Sequence, residues 1–410
     1  RLAQVTTQKY FGTYEKAPGK HLYIRTWDEL GPDQLTYYDD DGRIGALFPE
    51  STTSFTSGPG IWIPLPASVK ATFTFNAAGE AAEVIWSESG SAPGKFKKVP
   101  IHNEQEVTFT NGNVTLAGSL VVPRGSGPHP AIVLVHGSGP VTRDFFGPIA
   151  YLLAKHGFAV LSYDKRGNGK SGGDWLDADF EDLAADALSA VALLKSRAEI
   201  NAKKIGLLGI SQGGWIVPLA ASKSTDIVFA VLISTPSVSP AQQEIQRVEE
   251  EMQVQKATPD QIKETIGKLS ADLDSLRKQE TVESLQSEIE RLKAEGNDRL
   301  LKMNGPENPR FLLFYNRIMD FDPLPILQKM NRPVLVLYGE ADRGVPVKGN
   351  LDKLVNALKQ AKDVRYSVRV FPKGNHALLL SETGSYEEFF HLNRFVPEFF
   401  STLIDWLRKL

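Results

Sequence analysis

The stretch Lys204-Ile-Gly-Leu-Leu-Gly-Ile-Ser-Gln-Gly-Gly-Trp215 joins two apolar runs through a sharp, glycine-rich turn. Residues 205–210 predict a buried strand, and residues 215–221 are typical of a helix. Between them, Gly209-Ile-Ser-Gln-Gly213 is a G-x-S-x-G pattern in a strand–turn–helix context. Glycine on either side of Ser211 is expected where neighbouring backbone comes too close for a Cβ atom. The pattern therefore predicts a turn that presents the Ser211 hydroxyl at the end of a strand, in preference to a turn with an incidental serine.

Strands and helices alternate on both sides of this turn. Near-continuous apolar runs are typical of parallel strands that are covered on both faces; they occupy residues 131–135, 159–163, 205–208, 230–233 and 334–338. Helical patterns separate them; these lie at residues 147–156, 180–196 and 212–221. The alternation predicts a doubly wound, mostly parallel α/β sheet, in which functional sites lie at the carboxyl ends of the strands.

The first 100 residues have a different pattern, in which short aromatic and β-branched runs alternate with turn residues. Such runs predict the strands of a small barrel or sandwich; they lie at residues 22–26, 34–38, 61–63, 71–75 and 83–86. We assign residues 1–100 to an all-β domain, with a linker at 91–98, and residues 101–410 to the α/β domain, which opens with a hairpin around Asn111-Gly112. Tyr37, Tyr38 and Trp62 are expected to pack in the core or between domains; a carbohydrate platform is the alternative.

One segment, residues 239–306, interrupts the alternation. It is rich in Glu, Gln, Lys and Leu, and its apolar residues recur at three- and four-residue spacing, which predicts helices. The segment follows a strand that ends near Thr235, at the carboxyl edge of the sheet. We therefore expect a cap over Ser211, with a charged surface hairpin or a dimerisation arm as the alternative. Residues 390–410 predict a closing amphipathic helix.

A serine hydroxyl becomes a nucleophile when a base removes its proton and an acid orients that base. In this class of fold the acid and the base follow the serine along the chain. His376 lies in a glycine-containing loop after an apolar strand, whereas His391 lies in a helix-like run and is expected to pack. For the acid, the strand-Gly-x-x-Asp spacing favours Asp342 over Glu340. The predicted triad is Ser211, Asp342 and His376.

Backbone N–H groups that stabilise a developing oxyanion are expected close to Ser211. The first parallel strand ends in Val135-His-Gly-Ser-Gly-Pro140, a turn that can direct N–H groups toward the same edge. We assign the oxyanion donors to the backbone N–H groups of Gln212 and Ser138. His136 is interpreted as a structural residue of the turn.

Composition excludes several other functions. The formal net charge is −3 without a basic block, the chain has no cysteine, and its apolar runs are shorter than a membrane span. Gly167-Asn-Gly-Lys-Ser171 is similar to the end of a P-loop, but Asp164 occupies the position of the required first glycine. The remaining histidines lack the spacing of metal ligands. We expect neither a cofactor nor a metal.

Taken together, the motifs identify a family resemblance. They are His136-Gly-Ser-Gly-Pro-Val-Thr-Arg-Asp144, Asp164-Lys-Arg-Gly-Asn-Gly-Lys-Ser171, Gly209-Ile-Ser-Gln-Gly-Gly214, Gly339-Glu-Ala-Asp342 and Gly374-Asn-His376. From about residue 105 onward the chain resembles the α/β-hydrolase superfamily, and most of all bacterial serine esterases of the dienelactone-hydrolase and prolyl-oligopeptidase-like branches. The resemblance implies ester hydrolysis through an acyl-enzyme on Ser211, Asp342 and His376, and structural roles for Asp164 and Arg166.

The aromatic pattern of the first 100 residues resembles the small lipocalin-like β-domain that precedes some bacterial serine hydrolases. The residues that carry this likeness are Tyr10-Phe-Gly-Thr-Tyr14, Ala46-Leu-Phe-Pro49 and Phe73-x-Phe75-x-x-x-Gly79.

The predicted function is that of a carboxylesterase acting on a small-molecule ester with a short acyl chain. Two alternatives stay open: a peptidase of the acylaminoacyl or dipeptidyl type, and a glycan-binding protein whose hydrolase body is inert. An acylated glycan as substrate and a homodimer also stay open, whereas no nucleic-acid partner and no membrane span are expected. The start at Arg1 and the additional β-domain lead us to expect a secreted or periplasmic protein.

Overall fold

The computed structural model describes residues 7–31, 33–296, 308–362 and 364–410. Within these residues the N-terminal part folds into an antiparallel sheet of nine strands in the order β4-β3-β2-β1-β9-β8-β7-β6-β5. Its strands are β1 Gly12–Ala17, β2 Lys20–Thr26, β3 Leu35–Asp39, β4 Ile44–Ala46, β5 Phe48–Pro49, β6 Ser54–Ser57, β7 Val69–Phe75, β8 Ala81–Glu88 and β9 Gly94–Lys98. The edge strands β4 and β5 are separated by Leu47 alone, so the sheet curls into a nearly closed barrel.

The barrel interior is filled by aromatic side chains. Tyr10, Tyr14, Phe55 and Phe73 are buried, and their rings meet edge to face at centroid distances of 5.0 to 6.0 Å. Such pairs contribute about 0.5–1.5 kcal/mol beyond the burial of their area. The predicted all-β fold is therefore confirmed, with an interior packed by rings.

Two predictions in this part are wrong. Residues 94–98 are strand β9, which pairs with β1 and β8, and not a linker. Alternation explains the strand, because Phe96 points into the core while Lys95 and Lys97 face outward. Residues 61–63 are not a strand of the sheet, because the N–H groups of Ile61 and Trp62 donate to carbonyls of the C-terminal segment.

Within the described residues, the second sheet has eight strands in the order β10-β11-β13-β12-β14-β15-β16-β17. Its strands are β10 His102–Asn111, β11 Val114–Pro123, β12 His129–Val135, β13 Ala159–Tyr163, β14 Ile200–Ile210, β15 Ile227–Ile233, β16 Val334–Gly339 and β17 Tyr366–Phe371. The hairpin β10–β11 and the pair β11–β13 are antiparallel, and all other neighbours are parallel. This is the predicted doubly wound sheet.

Helices cover both faces of this sheet. Their bounds are α1 Pro148–Lys155, α2 Phe180–Lys195, α3 Gly213–Lys223, α4 Pro240–Val254, α5 Pro259–Leu276, α6 Val282–Ala294, α7 Pro309–Ile318, α8 Leu324–Leu327, α9 Val347–Gln360 and α10 Phe399–Leu407. Ala131 and Val133 of β12 pack toward α2 and α3, whereas Ile132 and Leu134 pack toward α1 and α10. Both faces are therefore apolar, as the continuous runs predict. None of the helices within the described ranges has the length and hydropathy that a membrane crossing requires.

The barrel packs against the α1 and α10 side of the sheet and shares a core with it. Tyr23, Trp27 and Tyr38 of the barrel belong to the same buried cluster as Ile149 of α1 and Phe399 of α10. The predicted packing role of the barrel aromatics is confirmed for Tyr38, which lies in this cluster, and for Tyr37, which lies in the barrel core.

The segment between β15 and β16 is helical, as predicted, but longer than expected. Helices α4, α5 and α6 occupy most of it, and residues 297–306, where the prediction ends, lie outside the described residues. Helix α7 continues the insertion beyond residue 306, and β16 begins only at Val334.

The predicted C-terminal helix begins later than expected. Arg394 and Phe395 form isolated β-bridges with Arg43 and Leu379, so the backbone there is extended. Helix α10 therefore starts at Phe399.

Candidate active site

Ser211 occupies the turn between β14 and α3. Its φ of 55° is left-handed, a conformation that costs a residue with a side chain about 1–3 kcal/mol and that clusters at functional sites. The Ser211 N–H donates to the carbonyl of Ile233 at 3.0 Å, which ties the turn to the end of β15. The strained turn places the Ser211 side chain in the wall of a cavity above the sheet edge.

The two glycines of the turn are required by close backbone contacts. A Cβ atom at Gly209 would lie 2.4 Å from the carbonyl oxygen of Gly213. A Cβ atom at Gly213 would lie 2.4 Å from the carbonyl oxygen of Val135, at the end of β12. Real Cβ atoms are not found at such distances, so the G-x-S-x-G spacing follows from the packing of this turn.

The loops after β16 and β17 bring an acid and a base together. Nδ1 of His376 lies 2.9 Å from both carboxylate oxygens of Asp342. Asp342 is buried, and its Oδ1 also accepts the N–H of Val345 at 2.8 Å. The carboxylate is thus fixed in position and binds Nδ1, and His376 lines the cavity that Ser211 also lines.

The surroundings of His376 favour its protonated form. Burial alone would lower the pKa of His376, but the charge of Asp342, the hydrogen bond with Asp342 and the charge of Glu29 raise it above the ordinary 6.5. The raised pKa makes His376 a stronger base, which suits a group that accepts a proton and returns it.

Glu340 and His391, the less favoured acid and base, lie apart from the pair of Asp342 and His376. Glu340 is exposed, and its carboxylate accepts the backbone N–H of Lys373 at 3.2 Å instead of contacting His376. His391 is exposed at the end of a short 3-10 helix. This exposure differs from the packing role that the sequence predicted for His391.

The predicted oxyanion donors border the same cavity. Ser138 and Gln212 line it together with Ser211 and His376. Gln212 precedes the first turn of α3, where free N–H groups and the helix dipole favour negative charge. Next to them, His136 is buried, and its Nε2 contacts the carbonyl of Tyr163. Burial lowers the pKa of His136 to about 3, so it is a neutral member of the turn.

The Asp164 loop supports the site from outside the cavity. Asp164 accepts two hydrogen bonds from the Arg143 guanidinium, at 3.0 and 2.8 Å, and one from the N–H of Lys170. Burial would raise the pKa of Asp164, but these contacts lower it below its usual range. Arg166 is paired with Asp186 at 2.7 Å. These contacts fix the loop, in agreement with the structural roles that the resemblance implies.

Helices α4 and α7 close the cavity, which has a volume of about 200 Å³. Five aromatic side chains form one part of its wall: Trp175, Trp215, Phe311, Phe314 and Tyr315. The polar groups on the cap side are Gln243, Glu244 and Arg247 of α4. The sequence predicted the cap, but the predicted segment ends at residue 306 and therefore misses the contribution of α7, which is Phe311, Phe314 and Tyr315.

The barrel also contributes to the site. Asp28, in the turn between β2 and β3, accepts the N–H and the hydroxyl of Thr142 at 2.5 and 2.9 Å. Trp27 donates its indole N–H to the carbonyl of Phe145 at 3.0 Å. Both contacts hold the loop that follows Ser138. The sequence gave no signal for them, since the partners are more than 110 residues apart.

The fold and this arrangement define a serine hydrolase of the α/β-hydrolase class. A family model described as serine aminopeptidase, S33, matches residues 126–383, which is more than half of the chain. The chain belongs to this family.

Two relatives of the chain are named as an esterase and a serine hydrolase. The chain is 28% identical over 336 residues to Esterase EstD of Thermotoga maritima, an alignment that covers 77% of this chain and 73% of that protein. It is 34% identical over 109 residues to the Serine hydrolase BPHL of Homo sapiens, covering 27% of this chain and 36% of that protein.

Among solved structures, the α/β hydrolase GrgF from Penicillium sp. sh18 aligns with a TM-score of 0.48 at 19% identity, over 75% of this chain and 98% of that one. An esterase of Pyrococcus furiosus, Pf2001, aligns with a TM-score of 0.47 at 19% identity, over 75% of this chain and 91% of that one.

Proposed function

We propose that the protein hydrolyses carboxylic esters through an acyl-enzyme on Ser211. The observation that carries the proposal is the contact between His376 and Asp342 beside the left-handed Ser211, in one cavity. The named esterase among the relatives supports an ester as the substrate.

In the proposed mechanism Ser211 Oγ attacks the ester carbonyl, and His376 Nε2 takes its proton. Asp342 holds the ring through Nδ1 and stabilises the imidazolium that forms. The N–H groups of Gln212 and Ser138 stabilise the tetrahedral oxyanion. The protonated His376 then gives its proton to the leaving alcohol. Water attacks the acyl-enzyme and transfers a proton to His376, which passes it to Ser211 Oγ as the carboxylic acid leaves.

The cavity favours a short apolar acyl group. Its volume of about 200 Å³ is below the roughly 300–1,000 Å³ of pockets that hold drug-sized ligands. The aromatic part of the wall provides apolar contact for the acyl group, and the cap helices limit its length.

An aminopeptidase is the second candidate, because the family model bears that description. An aminopeptidase must bind the ammonium group of its substrate, and a carboxylate is the group that does so. Among the described residues that line the cavity, the carboxylate is Glu244. Glu244 is held by the guanidinium of Arg247 at 2.7 and 2.8 Å. Since this charge is already neutralised, the ester is the better supported substrate.

The decisive experiment compares p-nitrophenyl acetate, butyrate and octanoate with alanine p-nitroanilide. We expect turnover of the short esters by the wild type, and a loss of about 10⁴-fold or more in Ser211→Ala. Ser222→Ala, an exposed serine on the following helix, is the control and should retain full activity. Ester turnover that survives in Ser211→Ala contradicts the mechanism, and faster anilide turnover supports the peptidase.

We further propose an extracytoplasmic location, an acylated glycan as a possible class of ester, and a homodimer as separate expectations. Fractionation of the source cells tests the location. Release of acetate from an acetylated oligosaccharide tests the glycan ester, and sedimentation of the purified protein tests the homodimer. A glycan platform on the barrel is not favoured, because the side chains of Tyr37 and Tyr38 are buried.

A further inference from the structure

Lys165 is a buried cation beneath the candidate site. It follows β13 and is 2% exposed. Its Nζ donates to the carbonyls of Gly137 and Gly139 at 2.6 and 3.0 Å, and to Oε1 of Gln212 at 3.1 Å. An ammonium group has three N–H donors, and here each of them has an acceptor.

The contact with Gly137 determines the direction of a neighbouring N–H group. The Gly137 carbonyl and the Ser138 N–H belong to one planar, trans peptide unit, so they point in opposite directions. Because the carbonyl is directed to the buried Lys165, the N–H is directed to the opposite side, where Ser138 lines the cavity. The cation also polarises this peptide, which strengthens its N–H as a donor.

The contact with Gln212 fixes the second donor. Gln212 is 2% exposed, and its side-chain oxygen is held by Lys165. Gln212 lines the same cavity as Ser211. One ammonium therefore joins the loop after β12 to the turn before α3, the two segments that carry the predicted oxyanion donors.

The contacts favour the charged form of Lys165. Burial acts in the opposite direction and lowers the pKa of Lys165 to about 7. A neutral amine has two N–H donors, so it would leave one of the three oxygens without a partner. The face of Trp175, 5.4 Å from Nζ, provides further attraction for a cation.

We propose that Lys165 is a positioning residue that orients the Ser138 and Gln212 N–H groups and adds positive charge behind the oxyanion. This inference rests on the proposed serine-hydrolase function of the same site. Lys165 does not touch the substrate; it acts through the two donors. Its loss should therefore weaken binding of the transition state more than binding of the substrate.

The test is Lys165→Met, which preserves the length of the side chain and removes all three donors. We expect kcat for p-nitrophenyl butyrate to fall about 10- to 100-fold, less than or similar to the loss of one direct oxyanion donor. KM should stay within about twofold. The control is Lys170→Met, in which an exposed lysine of the same loop, paired with Glu106, is replaced. This variant should retain wild-type kcat and KM.

A thionoester substrate separates positioning from a general loss of structure. Sulfur is a poor hydrogen-bond acceptor, so thionoester turnover depends less on the oxyanion donors. We expect the ratio of ester to thionoester turnover to fall at least several-fold in Lys165→Met and to stay constant in Lys170→Met. An unchanged ratio, or a kcat equal to that of the wild type, overturns the proposal.

A second measurement keeps the inference independent of the substrate. A fluorophosphonate phosphonylates the nucleophilic serine, and negative charge develops on the phosphoryl oxygen during the reaction. The rate constant of labelling therefore reports the same donors without ester turnover. If the wild type hydrolyses no ester, the proposed function fails, while slower labelling of Lys165→Met still supports the role of Lys165. If Lys165→Met does not fold, Lys165→Gln, which keeps a polar group in the pocket, should show the same loss; equal labelling overturns the inference.

Discussion

The barrel and the parallel sheet use their side chains in different ways. The barrel directs Tyr10, Tyr14 and Phe73 into its own interior, where the rings fill the space. The parallel sheet buries both faces under helices and leaves the loops at its carboxyl edge around a cavity. The difference shows that the interior of the barrel provides stability, whereas the chemistry is located where strands end.

The two regions nevertheless meet at one functional loop. Asp28 of the barrel binds Thr142, in the loop that follows the predicted oxyanion donor Ser138. Damage at the sheet edge should therefore lower turnover alone, and damage in the barrel core should lower stability alone. Loss of the contact between Asp28 and Thr142 should loosen the loop after Ser138 and lower turnover to a smaller extent. The predictions below test this division, from the largest to the smallest expected effect on turnover.

The largest effect is expected at Asp342. Asp342→Asn should lower kcat for short esters about 10⁴-fold, because His376 loses the partner that orients it and stabilises its charge. Glu340→Gln is the matched control, since Glu340 is an exposed carboxylate two residues away, and it should remain active. Steady-state kinetics of both variants decide the assignment; equal losses would contradict it.

The pH dependence of kcat/KM should reflect His376. The free base must be neutral to accept the serine proton, so activity falls as the pH decreases through its pKa. Because that pKa is raised, the acidic midpoint should lie above 6.5, with a loss of about tenfold per pH unit below it.

Glu29→Gln extends this test to the barrel. The charge of Glu29 contributes to the raised pKa of His376, so its removal should move the acidic midpoint to lower pH. Glu15→Gln, on another part of the barrel, should leave the midpoint unchanged. A midpoint that moves upward in Glu29→Gln would contradict the assignment.

A smaller effect on turnover is expected at the contact between the two regions. Asp28→Ala removes two acceptors from Thr142 and should lower kcat up to about tenfold by loosening the oxyanion loop, since a misplaced group far from the chemistry can cost a large part of the rate. Asp33→Ala, an exposed aspartate in the same connection, is the control. A wild-type kcat in Asp28→Ala would show that the barrel does not support the site.

The smallest effect on turnover is expected in the barrel core. Phe73→Ala removes a buried ring and should lower the free energy of unfolding by about 3–5 kcal/mol, while kcat per folded molecule stays unchanged. Ile85→Ala, at an exposed position of the neighbouring strand β8, should change stability by less than about 0.5 kcal/mol. Urea unfolding together with active-site titration measures both quantities. A loss of kcat in Phe73→Ala would show that the two regions are not separable.

Much of the fold and of the candidate site could be predicted, because the signals are local. The G-x-S-x-G turn, the apolar strands and the helical insertion each follow from neighbouring residues. Ser211, Asp342 and His376 could be predicted because the acid and the base follow the serine in this class of fold, and because the carboxyl ends of parallel strands meet at one edge. In the structure Ser211, His376, Ser138 and Gln212 line one cavity, and Asp342 contacts His376.

The elements that were mispredicted have weak local signals. Strand β9 carries lysines at alternate positions, so its single buried ring, Phe96, does not by itself indicate a strand. The segment before α10 carries aromatic residues at helical spacing, but its backbone pairs with Arg43 and Leu379 from distant parts of the chain. In both places pairing with a distant partner outweighed the local pattern.

The sequence by itself determined the class of fold, the strained serine turn and the order of the residues that surround it. These features depend on the periodicity of apolar residues and on the spacing of the glycines around Ser211. Only the tertiary structure decided that α7 closes the cavity, that Asp28 holds the oxyanion loop and that Lys165 lies beneath both donors. Such contacts join side chains far apart in the chain, and their energies depend on burial and distance, which no local pattern encodes.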